Sequence, residues 1–245
     1  MARNAVAIVF FLVALGAVAA SPRTLIVLDP GHSPAKMGAI GARGEGEYAY
    51  NDRLAADLMR RLTQRGFDVR LTRTPQAEID LAERAQLANR SGAAVFVALH
   101  HDSANPKYLT ETTVQGRKAY VVTGELRKKY QLGFSLFVSP KNPRYDDSLR
   151  LAEAIGRELT AIGRPISTHH TEKIENEGRL FLDEKRGVYR YDDLVVLKRA
   201  VMPAVLVEAA VIPDPKEEAA ASDPAERGRW ADAIARGIEA YFGVP

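Results

Sequence analysis

The chain reads as a single α/β domain with a mostly parallel central sheet flanked by helices on both faces. Three observations predict it. Thr24–Leu28, Ala93–Leu99 and Ala204–Val207 are near-continuous apolar runs, as expected of strands covered on both sides. Tyr48–Arg65 and Glu226–Phe242 carry apolar residues on one helical face, the first at Leu54, Leu58 and Leu62. Strand and helix alternate over short links, the order that a parallel sheet crossed by helices requires. A length of 245 residues is ample for one large core.

In chain order, residues 1–20 stand apart as a secretory signal peptide. Arg3 supplies a positive end, Ala5–Ala20 is an uncharged and largely apolar run, and Val18-Ala19-Ala20 offers small residues for cleavage before Ser21. The run is shorter than the roughly 20 residues of a spanning helix, so the expectation is export to the periplasm or exterior with no membrane span in the mature chain. Residues 21–245 form one expected mature domain. Thr24–Leu28 opens it as a strand. The helix over Tyr48–Arg65 closes at Gly66, Phe67–Leu71 is the next strand, and an alanine-rich helix over Leu81–Asn89 ends near Ser91-Gly92. Ala93–Leu99 is the third strand.

The middle is less regular. Asp102–Leu132 is a polar excursion with Pro106 and one short strand at Ala119–Val122, long enough to border a groove. Gly133–Val138 resumes the sheet and Ser148–Ile162 has helical periodicity. Arg164–Tyr191 is polar and looped with short regular pieces. Leu194–Leu197 is a short extended or helical segment, after which Ala204–Val207 is a buried strand and Glu226–Phe242 the closing amphipathic helix.

Composition narrows the chemistry. With no cysteine, disulfides, thiolate metal sites and lipid attachment at the cleavage point are excluded; a metal site must use histidine and carboxylate, which points to zinc. The formal charge is +3, and the basic residues are scattered among acids. That is an ordinary soluble surface with no nucleic-acid groove, and no Gly-x-Gly-x-x-Gly run supports a dinucleotide enzyme.

Four residues sit where open α/β sheets form their ligand crevices, beyond or at the ends of apolar segments. They are His32 after Asp29-Pro30-Gly31, Glu47, His100 at the end of Ala93–Leu99, and Glu208 after Ala204–Val207. Three of the four can hold a metal and the fourth can move protons. Singly, each has a plain alternative: a loop histidine, a helix N-terminal charge, a partnered core imidazole, and a structural salt bridge.

Taken in order, the motifs resemble the zinc-dependent N-acetylmuramoyl-L-alanine amidases of bacterial cell walls, over about Thr24–Phe242. Leu28-Asp29-Pro30-Gly31-His32 is similar to the family's first metal motif, Glu47 with the trailing Asn51 to its glutamate ligand, Val97-Ala98-Leu99-His100 to the segment of the third ligand, and Pro203–Glu208 to the segment of the catalytic glutamate. The resemblance implies one catalytic Zn²⁺ on His32, Glu47 and His100, with Glu208 guiding water and helping the amine leave. It also implies peptidoglycan as substrate, cut between the lactyl group of N-acetylmuramic acid and L-alanine.

Three features depart from the family pattern. His101-Asp102 follows His100, where a small residue and then Asn or Asp is usual; His101 is expected to line the cleft or orient a neighbour, because adjacent strand residues point to opposite sides. His169-His170 is a second pair, expected in substrate contact, behind a ligand, or exposed. The 102–132 segment is longer than usual. No wall-binding repeat is present, so targeting falls to the catalytic domain or to an activator or targeting protein. The competing accounts are an inactive peptidoglycan-binding or regulatory protein, which loss of one of the four residues would have favoured, and another zinc hydrolase of wall substrates, of which the His-Glu-x-x-His class lacks its motif here.

Overall fold

The computed structural model describes residues 23–173 and 178–243. The expected signal peptide at residues 1–20 lies outside them. Among the described residues nine strands are formed: β1 (Leu25–Pro30), β2 (Asp68–Leu71), β3 (Val95–Asp102), β4 (Leu109–Val114), β5 (Arg117–Val122), β6 (Ser135–Val138), β7 (Phe181–Asp183), β8 (Val188–Arg190) and β9 (Ala204–Val211). The helices are α1 (Glu47–Gln64), α2 (Leu81–Ser91), α3 (Gly124–Lys129), α4 (Tyr145–Ala161), α5 (Val195–Arg199), α6 (Pro215–Ser222) and α7 (Pro224–Tyr241). Seven strands make one sheet in the order β2-β1-β3-β9-β6-β8-β7. The pairs β1–β2, β1–β3, β3–β9 and β6–β8 are parallel, whereas β9–β6 and β8–β7 are antiparallel. The expected mostly parallel sheet is therefore present.

Side-chain alternation explains why the central strands read as unbroken apolar runs. Ile26, Leu28, Val95, Val97, Leu99, Val205 and Val207 join one buried cluster with Leu54, Leu58, Ile155 and Trp230, the side covered by α1, α4 and α7. Val27, Phe96, Ala98 and Leu206 face the other cluster, with Ala88, Val196 and Leu197 of α2 and α5. Both faces are dry, so both parities must be apolar. Gly237 lets α7 approach α4: a Cβ there would lie 2.5 Å from Ile155 Cα.

The excursion after β3 is more ordered than its sequence implies. It folds into an antiparallel β4–β5 hairpin whose two turn residues, Gln115 (φ 50°) and Gly116 (φ 76°), are both left-handed, as a tight two-residue turn needs. The hairpin leans on the rest of the domain through Val122 N–H to Pro213 O (3.0 Å). Sequence periodicity also passed over α6, although Asp214 caps it and Pro215 occupies its first turn. The segment over Leu194–Leu197 resolves as helix α5. Among the described residues no helix is long and apolar enough to cross a membrane.

Candidate metal centre and cleft

The sheet delivers the four predicted residues to one edge. His32 follows β1 by two residues, Glu47 is the first residue of α1, and His100 and Glu208 are paired across β3 and β9. His32, Glu47 and His100 come together: their ligand-type atoms lie within 4.8 Å of one another, a group that can hold a metal ion. His32 Nε2 is 3.0 Å from Glu47 Oε2, and His100 Nδ1 is 2.9 Å from Glu47 Oε1.

Glycine makes the cluster possible. A Cβ at Gly31 would stand 2.2 Å from the His100 ring, and one at Gly38 (φ 73°) would stand 2.4 Å from Glu47 Oε2 and 2.6 Å from the His32 ring. His32 itself has φ 63°, a conformation that an L-residue holds only where its surroundings enforce it. Two buried arginines enforce it. Arg84 donates to Pro30 O (2.7 Å) and His32 O (3.0 Å), and Arg73 donates to Pro30 O (2.9 Å) and Gly31 O (3.1 Å). Asp29 holds Arg84 at 2.8 Å and also accepts from the Thr72 hydroxyl, while Asp52 holds Arg73 at 2.7 Å.

Glu47 is buried and fully engaged. Oε2 accepts from Ala39 N–H (3.0 Å); Oε1 accepts from Asn51 Nδ2 (3.1 Å) and His101 N–H (3.2 Å). Burial works to raise its pKa, but hydrogen bonding and charge from His100 and His32 outweigh it and hold the carboxyl well below the usual range. Asn51 has its orientation dictated by its neighbours: Nδ2 also donates to Gly31 O (3.1 Å), so Oδ1 must face His101 Nδ1 at 2.8 Å. An amide oxygen only accepts, hence His101 Nδ1 carries the proton and its buried Nε2 is bare and without a partner. Burial pushes the His101 pKa down to about 3, in keeping with a neutral ring. His101 thus orients a neighbour behind the cluster and does not line the cleft.

Glu208 lies on the far side of His100. Its Oε2 is buried without a hydrogen-bond partner, and burial, with the negative charges of Asp102 and Glu47 adding to it, pushes its pKa well above the usual carboxylate value. A carboxyl so placed can act as both acceptor and donor of a proton. Two adjoining cavities flank it. One of about 420 Å³ is bordered by His32, His100 and Ser33; the other, of about 260 Å³, is bordered by Glu208, Asp102, His169 and His170, and both share Leu194 and Leu206 as walls. His169 and His170 approach neither His32 nor Glu47 among the recorded contacts and instead group with Asp102.

The arginine clamp was missed from sequence, because nothing in the pattern marks an arginine as buried. Asn51 had been singled out only by its place after Glu47.

Comparison with known proteins agrees with this fold. The sequence model of a family described as N-acetylmuramoyl-L-alanine amidase matches residues 26–240. The chain is 30% identical over 246 aligned residues to the N-acetylmuramoyl-L-alanine amidase AmiA of Salmonella typhimurium, spanning 90% of this chain and 76% of that protein. It shares its fold with the catalytic domain of CwlV, an amidase from Bacillus (Paenibacillus) polymyxa var. colistinus, at TM-score 0.67 and 24% identity, covering 91% of this chain and 99% of that one. The CwlD amidase of Clostridioides difficile, solved in complex with the GerS lipoprotein, superposes at TM-score 0.66 and 21% identity over 91% of this chain and all of that one. The strand-end motifs, the converging His-Glu-His group and the match over nearly the whole described domain lead to one conclusion: this chain belongs to the N-acetylmuramoyl-L-alanine amidase family.

Proposed function

We propose that this amidase acts on peptidoglycan outside the cytoplasm through one zinc ion held by His32, Glu47 and His100, with Glu208 as the proton-transfer residue. The observation that carries the reading is the placement of Glu208 opposite His100 in the β3–β9 register, beside a compact group of two imidazoles and a carboxylate. That donor set suits zinc, and the space left by Gly31 and Gly38 keeps it uncrowded. Bound zinc supplies Lewis-acid chemistry, polarising an amide carbonyl and lowering the pKa of water. Glu208 takes a proton from the attacking water and returns it to the leaving nitrogen of L-alanine, which its partnerless Oε2 and raised pKa favour. Asn51 and the Arg73–Arg84 clamp hold the donors in place. Residues 21–245 are the mature catalytic domain in this reading, and a separate activator or targeting protein completes it, as GerS accompanies CwlD.

The test is digestion of purified peptidoglycan by wild type and Glu208→Gln, with zinc content measured in both. Wild type is expected to release intact stem peptides with a new L-alanine amino terminus. The variant keeps its zinc and loses about 10²–10⁴-fold in rate. Full activity in the variant sinks the role of Glu208, and cleaved sugar chains or shortened stems sink the bond assignment. A wild type that binds wall without cleaving it is the inactive-receptor outcome.

A further inference from the structure

Outside the His32–Glu47–His100 group, one cluster has the makings of a ligand set. Asp102 Oδ2, His169 Nε2 and His170 Nε2 converge: the two nitrogens are 3.2 and 2.7 Å from Oδ2, and all three atoms lie within 4.8 Å of one another. These short approaches are ion-pair contacts that lack the alignment of hydrogen bonds. Asp102 Oδ2 and His170 Nε2 are buried and have no hydrogen-bond partner, an arrangement that is costly for polar atoms unless something between them satisfies both.

The other polar atoms recorded around these residues are occupied in a way that leaves this convergence free. Asp102 Oδ1 accepts from Ser103 N–H at 2.8 Å, so Oδ2 is the spare oxygen. His169 Nδ1 is 2.9 Å from the Ser167 hydroxyl, which leaves Nε2 as the ring's second nitrogen; metal-bound histidines are commonly held this way through their other nitrogen. The His170 ring is wedged edge-on against Phe137 (centroids 4.9 Å) and Tyr189 (5.4 Å), which limits its rotation. All three residues border the cavity of about 260 Å³ that contains Glu208. Arg179, the cation on the same wall, lies 3.7 Å over the Tyr191 ring.

We infer that Asp102, His169 and His170 form a second divalent transition-metal site, of the zinc class, on the Glu208 side of the cleft. Two imidazole nitrogens and one carboxylate oxygen are a borderline-soft set that selects zinc over magnesium or calcium. Three protein donors leave a coordination position for an exogenous oxygen, and the cavity gives a carboxylate of the substrate room to reach it. The ion also ties the turn at His169–Thr171 to strand β3.

The experiment is Zn²⁺ stoichiometry on the full chain. Metal-stripped protein is loaded with Zn²⁺, desalted and measured by mass spectrometry, for wild type, His169→Gln/His170→Gln and His32→Asn. Two equivalents are expected in wild type and one in each variant, with the ion retained by each variant giving a different Co²⁺ absorption spectrum after exchange. Two equivalents in the His169/His170 variant overturn the inference. So does a single wild-type equivalent lost only with His32→Asn, which leaves the proposed catalytic centre standing. A single equivalent lost only with the His169/His170 pair keeps this site and removes the other. Circular dichroism checks folding; if the double variant is unfolded, His170→Gln alone decides by the same Zn²⁺ stoichiometry and Co²⁺ spectrum.

Discussion

Asn51→Leu tests whether the ground behind the candidate metal centre is as specific as its hydrogen bonds indicate. The side chain is fully buried and makes three contacts: to Glu47 Oε1, to Gly31 O and with His101 Nδ1. Two of the deserted partners keep others. Glu47 Oε1 still has His101 N–H, and Gly31 O still has Arg73 Nη2 at 3.1 Å. Only the His101 Nδ1 proton is orphaned. One buried orphan at about 1–3 kcal/mol and two lost bonds at about 0.5–1.5 each give roughly 2–6 kcal/mol, with about 3 as the working figure. For a domain of this size that is a fall in melting temperature of roughly 6–12 °C. With Glu47 no longer steered, zinc affinity should fall about 10–100-fold. Thermal melting of the metal-free protein and chelator competition for Zn²⁺ read the two effects separately. A melting temperature within about 2 °C of wild type together with unchanged affinity would refute the reasoning. Asn51→Asp is the sharper companion: it keeps an acceptor for His101 but sets a second carboxylate against Glu47, so it should destabilise the metal-free protein by like-charge repulsion that bound Zn²⁺ relieves.

Gly31→Ala and Gly38→Ala should each disturb the cluster by driving a methyl group into the His100 ring or the Glu47 carboxylate, measured as lost Zn²⁺ affinity in a still-folded protein. Arg84→Met removes one partner of a buried pair and leaves Asp29 with the Thr72 hydroxyl alone, an expected loss of about 3–5 kcal/mol in urea unfolding; Asp29→Asn added to it should restore part. The neutral His101 makes metal-free protein acid-sensitive. Its folded pKa of about 3 lies below the unfolded value of about 6.5, so folding excludes a proton; the stability is intact above about 6.5 and is lost as pH falls toward 3. Between pH 6.5 and 5 this amounts to about 2 kcal/mol, and His101→Gln should flatten that slope in urea midpoints relative to wild type; His170, its pKa also lowered, adds to the slope in both proteins, and Glu208, its pKa raised, opposes it in both.

Legibility from sequence followed burial. β1, β3 and β9 were readable because both their faces are dry, and His32, His100 and Glu208 were readable because they sit where those runs stop; Glu47 stands instead at the start of α1. Of the β4–β5 hairpin only the second strand was readable, as the short run Ala119–Val122; β4 is rich in Thr with a Glu and is buried nowhere along its length, and Gln115-Gly116 alone marks the turn. β7, at the sheet edge, and β8 beside it are three residues each, too short for any period to register. The grouping of Asp102 with His169 and His170 depends on how the chain returns from β6 through α4, which no local pattern encodes. His101 was separable from His100 by strand parity alone, and its role behind Glu47 follows from the same parity.

The arginine clamp has a consequence for how this site can change. Arg73 and Arg84 grip the carbonyl oxygens of Pro30, Gly31 and His32, groups that every residue possesses. The path of the loop is thereby uncoupled from the side chain it displays at position 32. A different donor can be placed there with the backbone still arriving at the same point, so the metal preference of the cleft is open to substitution while its scaffold stays put. The tolerance has a limit at position 31, where the His100 ring fills the space that any side chain would need.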